Sequence, residues 1–169
     1  MSRFTRSGAA RRILGIDPGT ATTGYGLIEK TKRGLVSKTF GCINTPAAES
    51  RETRLGILFQ ELSRLLRRTK PQEVAVEELF FSKNVKTAMA VAEARGVILL
   101  AVARQKIPVR SFTPQAVKQS VAAYGRAEKS QIGNMVARLL GLQDIPRPDD
   151  AADALAVAIC AANHQRGLT

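Results

Sequence analysis

Acidic residues, cysteine and histidine are scarce in this chain, and each shortage narrows what it can be. Fourteen Asp and Glu stand against 26 Lys and Arg in 169 residues, a formal net charge of +12. A surplus of that size on one small domain points to a polyanionic partner. Nucleic acid comes first and an anionic membrane second, with a merely solubilising basic surface as the plain alternative. The two cysteines, Cys42 and Cys160, lie among apolar residues and read as buried thiols of a cytoplasmic protein rather than a disulfide framework. The one histidine, His164, lies near the chain end, so a Cys/His zinc site or a Ser–His–Asp triad lacks its residues. Any resident metal has to be held by carboxylates, which select a hard cation such as Mg2+. No apolar run exceeds nine residues, far short of the roughly 20 that span a membrane. No apolar stretch follows the basic start MSRFTRSGAARR before the first strand, so neither a signal peptide nor a membrane partner is expected.

The length suits a single domain with a sizeable core. Residues 1–11 read as a flexible basic tail, 12–163 as the domain and 164–169 as a short C-terminal tail. Arg12–Asp17, Gly24–Glu29 and Val36–Asn44 read as strands joined by Pro18-Gly19-Thr20 and Lys32-Arg33-Gly34, an antiparallel meander. Ala48–Arg68 reads as a helix, with Leu55, Leu58, Leu62, Leu65 and Leu66 as its apolar stripe; its arginines, Arg51, Arg54, Arg64, Arg67 and Arg68, read as a solvated face. Val74–Glu78 has the continuous apolar character of a strand buried on both faces. The helix Asn84–Gln105 is apolar over a wider arc than one buried stripe needs, which suits a dimer face or a helix deep in a core. A fifth strand, Ile107–Phe112, precedes three helices, Gln115–Tyr124, Glu128–Leu140 and Asp149–Asn163. The order β-β-β-α-β-α-β-α-α-α implies an α/β fold with a five-stranded mixed sheet flanked by helices.

Ligand sites in such sheets lie at the carboxyl ends of strands. Asp17 ends the first strand, and Glu77 and Glu78 end the fourth. Strand neighbours point to opposite faces, so Glu77 and Glu78 cannot both face one site. Asp150 and Asp153, three residues apart, share one face at the start of the last helix; Asp149 beside them suits the helix dipole. Ionised carboxylates gathered at the ends of buried strands repel one another and lose hydration unless a cation compensates. Two Mg2+ ions about 3.5–4 Å apart, bridged by a central Asp, would do so and would equip the site for phosphodiester hydrolysis. Lys118 and Lys129 are candidates to hold the phosphate. Of the adjacent Phe80 and Phe81, one suits the core and the other suits stacking on unpaired bases.

The segments ILGIDPGTATTGYGLI, VAVEELFFSKN, AEARGVILLA, TPQAVKQSVAAYGRAEKSQI and DDAADALAVAI, in that order over residues 12–163, together resemble the RuvC family of Holliday-junction resolvases. The resemblance implies an RNase H-like fold and a homodimer that binds a four-way DNA junction. It implies paired, symmetric, Mg2+-dependent nicks that leave 5′-phosphate and 3′-hydroxyl ends. It implies two Mg2+ per subunit, with Mn2+ able to substitute, held by Asp17, Glu77, Asp150 and Asp153. It implies DNA contacts from Lys118, Lys129 and Phe80, a dimer helix around Ala94–Val102, and the branch-migration proteins RuvA and RuvB as partners. Three other readings compete. One is an RNase H-like nuclease acting on structured RNA. Another is an inactive junction-binding module. The third is an actin/Hsp70-like nucleotide-binding domain suggested by IDPGTATTG, which the length disfavours because that fold needs two such domains.

Overall fold

The computed structural model describes residues 10–79, 85–122 and 129–164. Ten elements follow one another: β1 (Arg11–Asp17), β2 (Thr22–Thr31), β3 (Gly34–Asn44), α1 (Arg51–Thr69), β4 (Glu73–Glu77), α2 (Val85–Arg104), β5 (Val109–Phe112), α3 (Pro114–Ala122), α4 (Lys129–Leu140) and α5 (Asp149–Asn163). The order matches the sequence expectation, and the boundaries move for local reasons. Ser50 caps α1 by accepting a hydrogen bond from the Thr53 amide, so the helix begins at Arg51 rather than Ala48. Pro108 has no N–H for a ladder, and β5 starts after it. Arg11, assigned to the tail by sequence, is instead the first residue of β1. No helix among the described residues is long and apolar enough to cross a membrane.

The sheet order is β3-β2-β1-β4-β5. The first three strands form the antiparallel meander, and β1–β4 and β4–β5 pair in parallel. Alternation along the strands divides the core. Leu14 and Ile16 of β1 and Val74 and Val76 of β4 pack with Leu58, Leu62 and Leu66 of α1 and Ile98 and Val102 of α2. Ile13 and Ala75 point the other way, into a cluster with α3, α4 and α5. Asp17 and Glu77 have the same parity as Ile13 and Ala75, so the pleat turns both toward the α5 side.

α5 lies unusually close to the sheet. From Ala151 to Ala162 only Asp153 escapes full burial, and a helix apolar on all sides must be enclosed. Its small side chains meet glycines: a Cβ on Gly15 would stand 2.0 Å from the Ala154 carbonyl oxygen, and one on Gly24 2.0 Å from that of Asp150. At the opposite end of α5 the fully buried Glu73 pairs with Arg11 and, at 2.5 Å, with Arg110. Arg110 also donates to the carbonyls of Ala161 (2.5 Å) and His164 (3.1 Å), and Lys30 to that of Ala162 (2.5 Å). Cations at a helix C-terminus complement its dipole and its unpaired carbonyls. α5 is therefore seated against glycine near its start and tied near its end by side chains from β2 and β5, the latter braced by Glu73 of β4 and, through it, Arg11 of β1.

This seating is testable with two alanines. Gly15→Ala should cost about 3 kcal/mol in urea unfolding, at the upper end for overpacking. Gly56→Ala, on the exposed side of α1 with nothing within 4 Å of the new Cβ, should instead stabilise by about 0.4–1 kcal/mol. A harmless Gly15→Ala would show that α5 has room to move.

Candidate active site

The carboxyl ends of β1 and β4, the start of α5 and the exposed side of α3 enclose a cleft of about 240 Å3, lined by Asp17, Glu77, Lys118 and Asp153 with Pro114, Val117, Ile132 and Ala156. Asp17 is the last residue of β1 and Glu77 the last of β4, one strand apart in a parallel pair. Asp153 is the one incompletely buried residue in the run 151–162. A larger cavity of about 660 Å3 lies against α4, lined by Gln131, Asn134, Arg138 and Gln143 among others. Among the described residues no carboxylate lines it, so volume does not mark the chemistry here.

Asp150 stands next to the cleft rather than in its lining. Its backbone presses on Gly24 of β2, and its charge, with that of Asp17, acts on Cys42 of β3, the strand beyond. Burial first, then Asp150, then Asp17 raise the Cys42 thiol above its ordinary pKa, against a hydrogen bond involving the Ala151 backbone that lowers it. The four acids thus form two adjoining groups that share Asp17: one with Glu77 and Asp153, the other with Asp150. Among the described residues no three His, Cys, Asp or Glu are gathered tightly enough to grip one ion as they stand. The donor chemistry nonetheless suits a hard divalent cation, because the cleft offers carboxylate oxygens and no imidazole.

Glu77 carries the electrostatic signature of the cleft. Burial first and the charge of Asp153 second raise its pKa, and Lys118 opposes them. The carbonyl of Glu77 accepts a hydrogen bond from Arg95 Nε of α2 at 3.4 Å, while Arg95 Nη2 donates to Ser111 Oγ of β5 at 2.8 Å. Arg95 ties α2 to the strand ends on which Glu77 sits. The sequence reading missed it because it lies inside an apolar helix, 18 residues from Glu77. Glu78, which strand alternation sets against Glu77, lies one residue beyond β4, its amide bonded to the Phe112 carbonyl at 2.8 Å. Phe80 lies outside the described residues. Lys129 begins α4, and its side chain is likewise outside them.

The chain as a whole matches a known family. The family profile of "Crossover junction endodeoxyribonuclease RuvC" matches residues 13–161. A crossover junction endodeoxyribonuclease RuvC from Desulfitobacterium hafniense is 55% identical over 151 residues, which is 89% of this chain and 92% of that protein. The chain belongs to the RuvC family. Among solved structures, Thermus thermophilus RuvC superposes with a TM-score of 0.82 at 34% identity, covering 89% of this chain and 93% of that one. T. thermophilus RuvC in complex with Holliday junction substrate gives 0.81 at 33% identity, covering 90% and 92%. The five-stranded mixed sheet with helices on both faces is the RNase H-like architecture expected of RuvC.

The raised Glu77 pKa has a measurable sign. The folded cleft disfavours ionised Glu77, so in a chelator at pH 7 Glu77→Gln should melt at a higher temperature than the parent chain. As pH falls through the raised folded value toward 4.5, the parent takes up the proton, regains that stability, and the difference closes. Equal melting temperatures across the range would show that the charge is already compensated within the cleft.

Proposed function

We propose that the chain is a divalent-cation-dependent endodeoxyribonuclease. It resolves four-way (Holliday) DNA junctions by paired, symmetric nicks that leave 5′-phosphate and 3′-hydroxyl ends, in recombination and repair in the cytoplasm. The observation that carries this reading is the meeting of Asp17, Glu77, Asp153 and Lys118 in one cleft on a chain of net charge +12. A close structural relative described in complex with a Holliday junction supports the choice of substrate.

Asp17, Glu77, Asp150 and Asp153 would hold two Mg2+ ions, or Mn2+ in their place, with Asp17 as the shared ligand. When bound, such ions supply an acidified water and charge stabilisation for in-line displacement at phosphorus. The chain's own contribution is position. Asp17 and Glu77 sit on adjacent paired strands, and Asp153 on a helix fixed against them, so the carboxylates need little rearrangement to act together. Lys118 brings a positive charge to the cleft wall, where it can hold a phosphate oxygen as charge develops. Lys129 would add a second phosphate contact, and Phe80 would stack on bases at the junction centre.

Paired nicks require two clefts, and α2 supports a homodimer. Met89, Gly96, Leu100 and Ala103 recur at spacings of seven, four and three residues, and all are exposed; Met89 and Leu100 expose 59% and 55% of their surface. Such a stripe suits a partner helix. RuvA and RuvB would be the partners that deliver the junction.

The primary test presents a synthetic four-way junction, a linear duplex of the same sequence and a structured RNA, each with Mg2+ or with EDTA. Paired, Mg2+-dependent nicks in the junction alone are expected; RNA cleavage would overturn the substrate. Asp17→Asn, Glu77→Gln, Asp150→Asn and Asp153→Asn should each lower nicking at least about a hundredfold, and Lys118→Ala about tenfold, with junction affinity largely kept. Near-parental nicking by any variant would remove that residue from the site. Leu100→Glu should shift the chain toward monomer in light scattering and lose the pairing of nicks.

A further inference from the structure

The arginines that the sequence leaves as a solvated face form a second charged surface. Arg64 and Arg67 of α1 and Arg104 of α2 line a groove of about 410 Å3 between the two helices. Arg64 also lines, with Arg68, a hollow of about 430 Å3 between α1 and the β2–β3 edge. Among the described residues the only carboxylate lining either is Glu61, which is paired with Arg64. Among the described residues, Arg67, Arg68 and Arg104 pair with no carboxylate. All three, and Lys106 just beyond α2, are exposed. Arg67, Arg68 and Arg104 lie in the last turns of their helices, where a cation complements the dipole. The dipole does not require two helices to bring their cations to one groove with no acid to balance them.

We propose that this α1–α2 surface is a second, sequence-independent binding site for the phosphate backbone of duplex DNA. Residues 60–68 of α1 cover roughly 12 Å of helix axis, the rise of about three to four phosphates along one strand. Arg67 and Arg68 at the end of that length, with Arg104 across the groove, have no carboxylate partner among the described residues, which suits a repeating anion and reads no sequence. The groove is built by the helices that cover one face of the sheet, whereas Asp17 and Glu77 open on the face covered by α5. A duplex on α1–α2 therefore does not occupy the cleft. The inference stands whichever nucleic acid the cleft takes, and its test reads duplex binding separately from nicking.

The test compares the parent chain with the triple variant Arg67→Gln, Arg68→Gln, Arg104→Gln. Binding of a fluorescent linear duplex is followed in EDTA across a salt series. The slope of log affinity against log salt should fall by about 2.7, three charges at about 0.9 each. Affinity should drop at least tenfold at low salt, while saturated junction nicking and the melting temperature stay near parental values. Should the triple variant fold poorly, Arg67→Lys, Arg68→Lys, Arg104→Lys replaces it, and parental affinity and slope are expected, since a charge-reading surface tolerates lysine. Unchanged slope and affinity in the glutamine variant, or lost binding in a well-folded lysine variant, would overturn the proposal. So would anionic phosphatidylglycerol vesicles displacing the duplex from the parent but not binding the glutamine variant, which would make the surface membrane-facing. A parent chain that binds duplex through these arginines yet nicks no junction would sustain this surface and sink the resolvase reading instead.

Discussion

The close approach of α5 to β1 and β2 is the constraint on which the rest of the molecule depends. Helices usually stand off a sheet by the depth of two side-chain layers. Here Gly15, Gly24 and Gly26 remove one layer and the alanines of α5 thin the other, leaving room for no Cβ at Gly15 or Gly24. The gain is positional: Asp150 and Asp153 come down beside Asp17, although they are more than 130 residues away in sequence. A bulkier interface would lift both acids out of reach of the strand ends. The alanines serve a second purpose, since they favour the helix strongly and lose no side-chain entropy on burial.

β4 shows how one strand can carry a carboxylate that ties elements together and another that lines a cleft. Glu73 and Glu77 start and end it with the same parity. Glu73 is wholly buried but closed off by Arg11 and Arg110, which also hold the strand starts and the end of α5 together. A buried ion pair of this kind adds little net stability over an apolar pair, yet losing one partner is costly. Glu77 faces Asp153 as well as Lys118, and burial first and the Asp153 charge second raise its pKa. A cleft carboxylate whose ionised form is disfavoured differs in this from one used to tie elements together.

Much of this was legible in the sequence because the signals were local. Strand alternation, the leucine stripe of α1 and the wide apolar arc of α2 each announce an element within one window of residues, and the elements follow in the predicted order. Asp17 and Glu77 were readable because each ends an apolar strand. What escaped depends on pairs far apart in the chain. The Glu73 cluster joins residues separated by 62 and 37 positions, and its acid opens a strand that reads as apolar only from Val74. Arg11 looked like part of a basic tail because nothing nearby in sequence calls for it in a strand. Cys42 reads as a plain buried thiol until β3 is placed next to β2, two strands from Asp17.

The division of charge follows from the same architecture. A chain of net charge +12 attracts polyanions over its whole surface, and at about 0.15 M salt that field is screened beyond roughly 8 Å. Within that distance the local balance governs. Alternation on β1 and β4 gathers carboxylates on the α5 face, and α1 and α2 carry unpaired arginines on the other. The sheet keeps the two apart, so the arginines lining the α1–α2 groove are not among the residues lining the cleft, where Lys118 opposes the shift of Glu77. A polyanion is drawn to the molecule by its overall field, and at the cleft it meets carboxylates as well as Lys118. The overall field and the carboxylates of the cleft therefore act on an approaching phosphate in opposite senses.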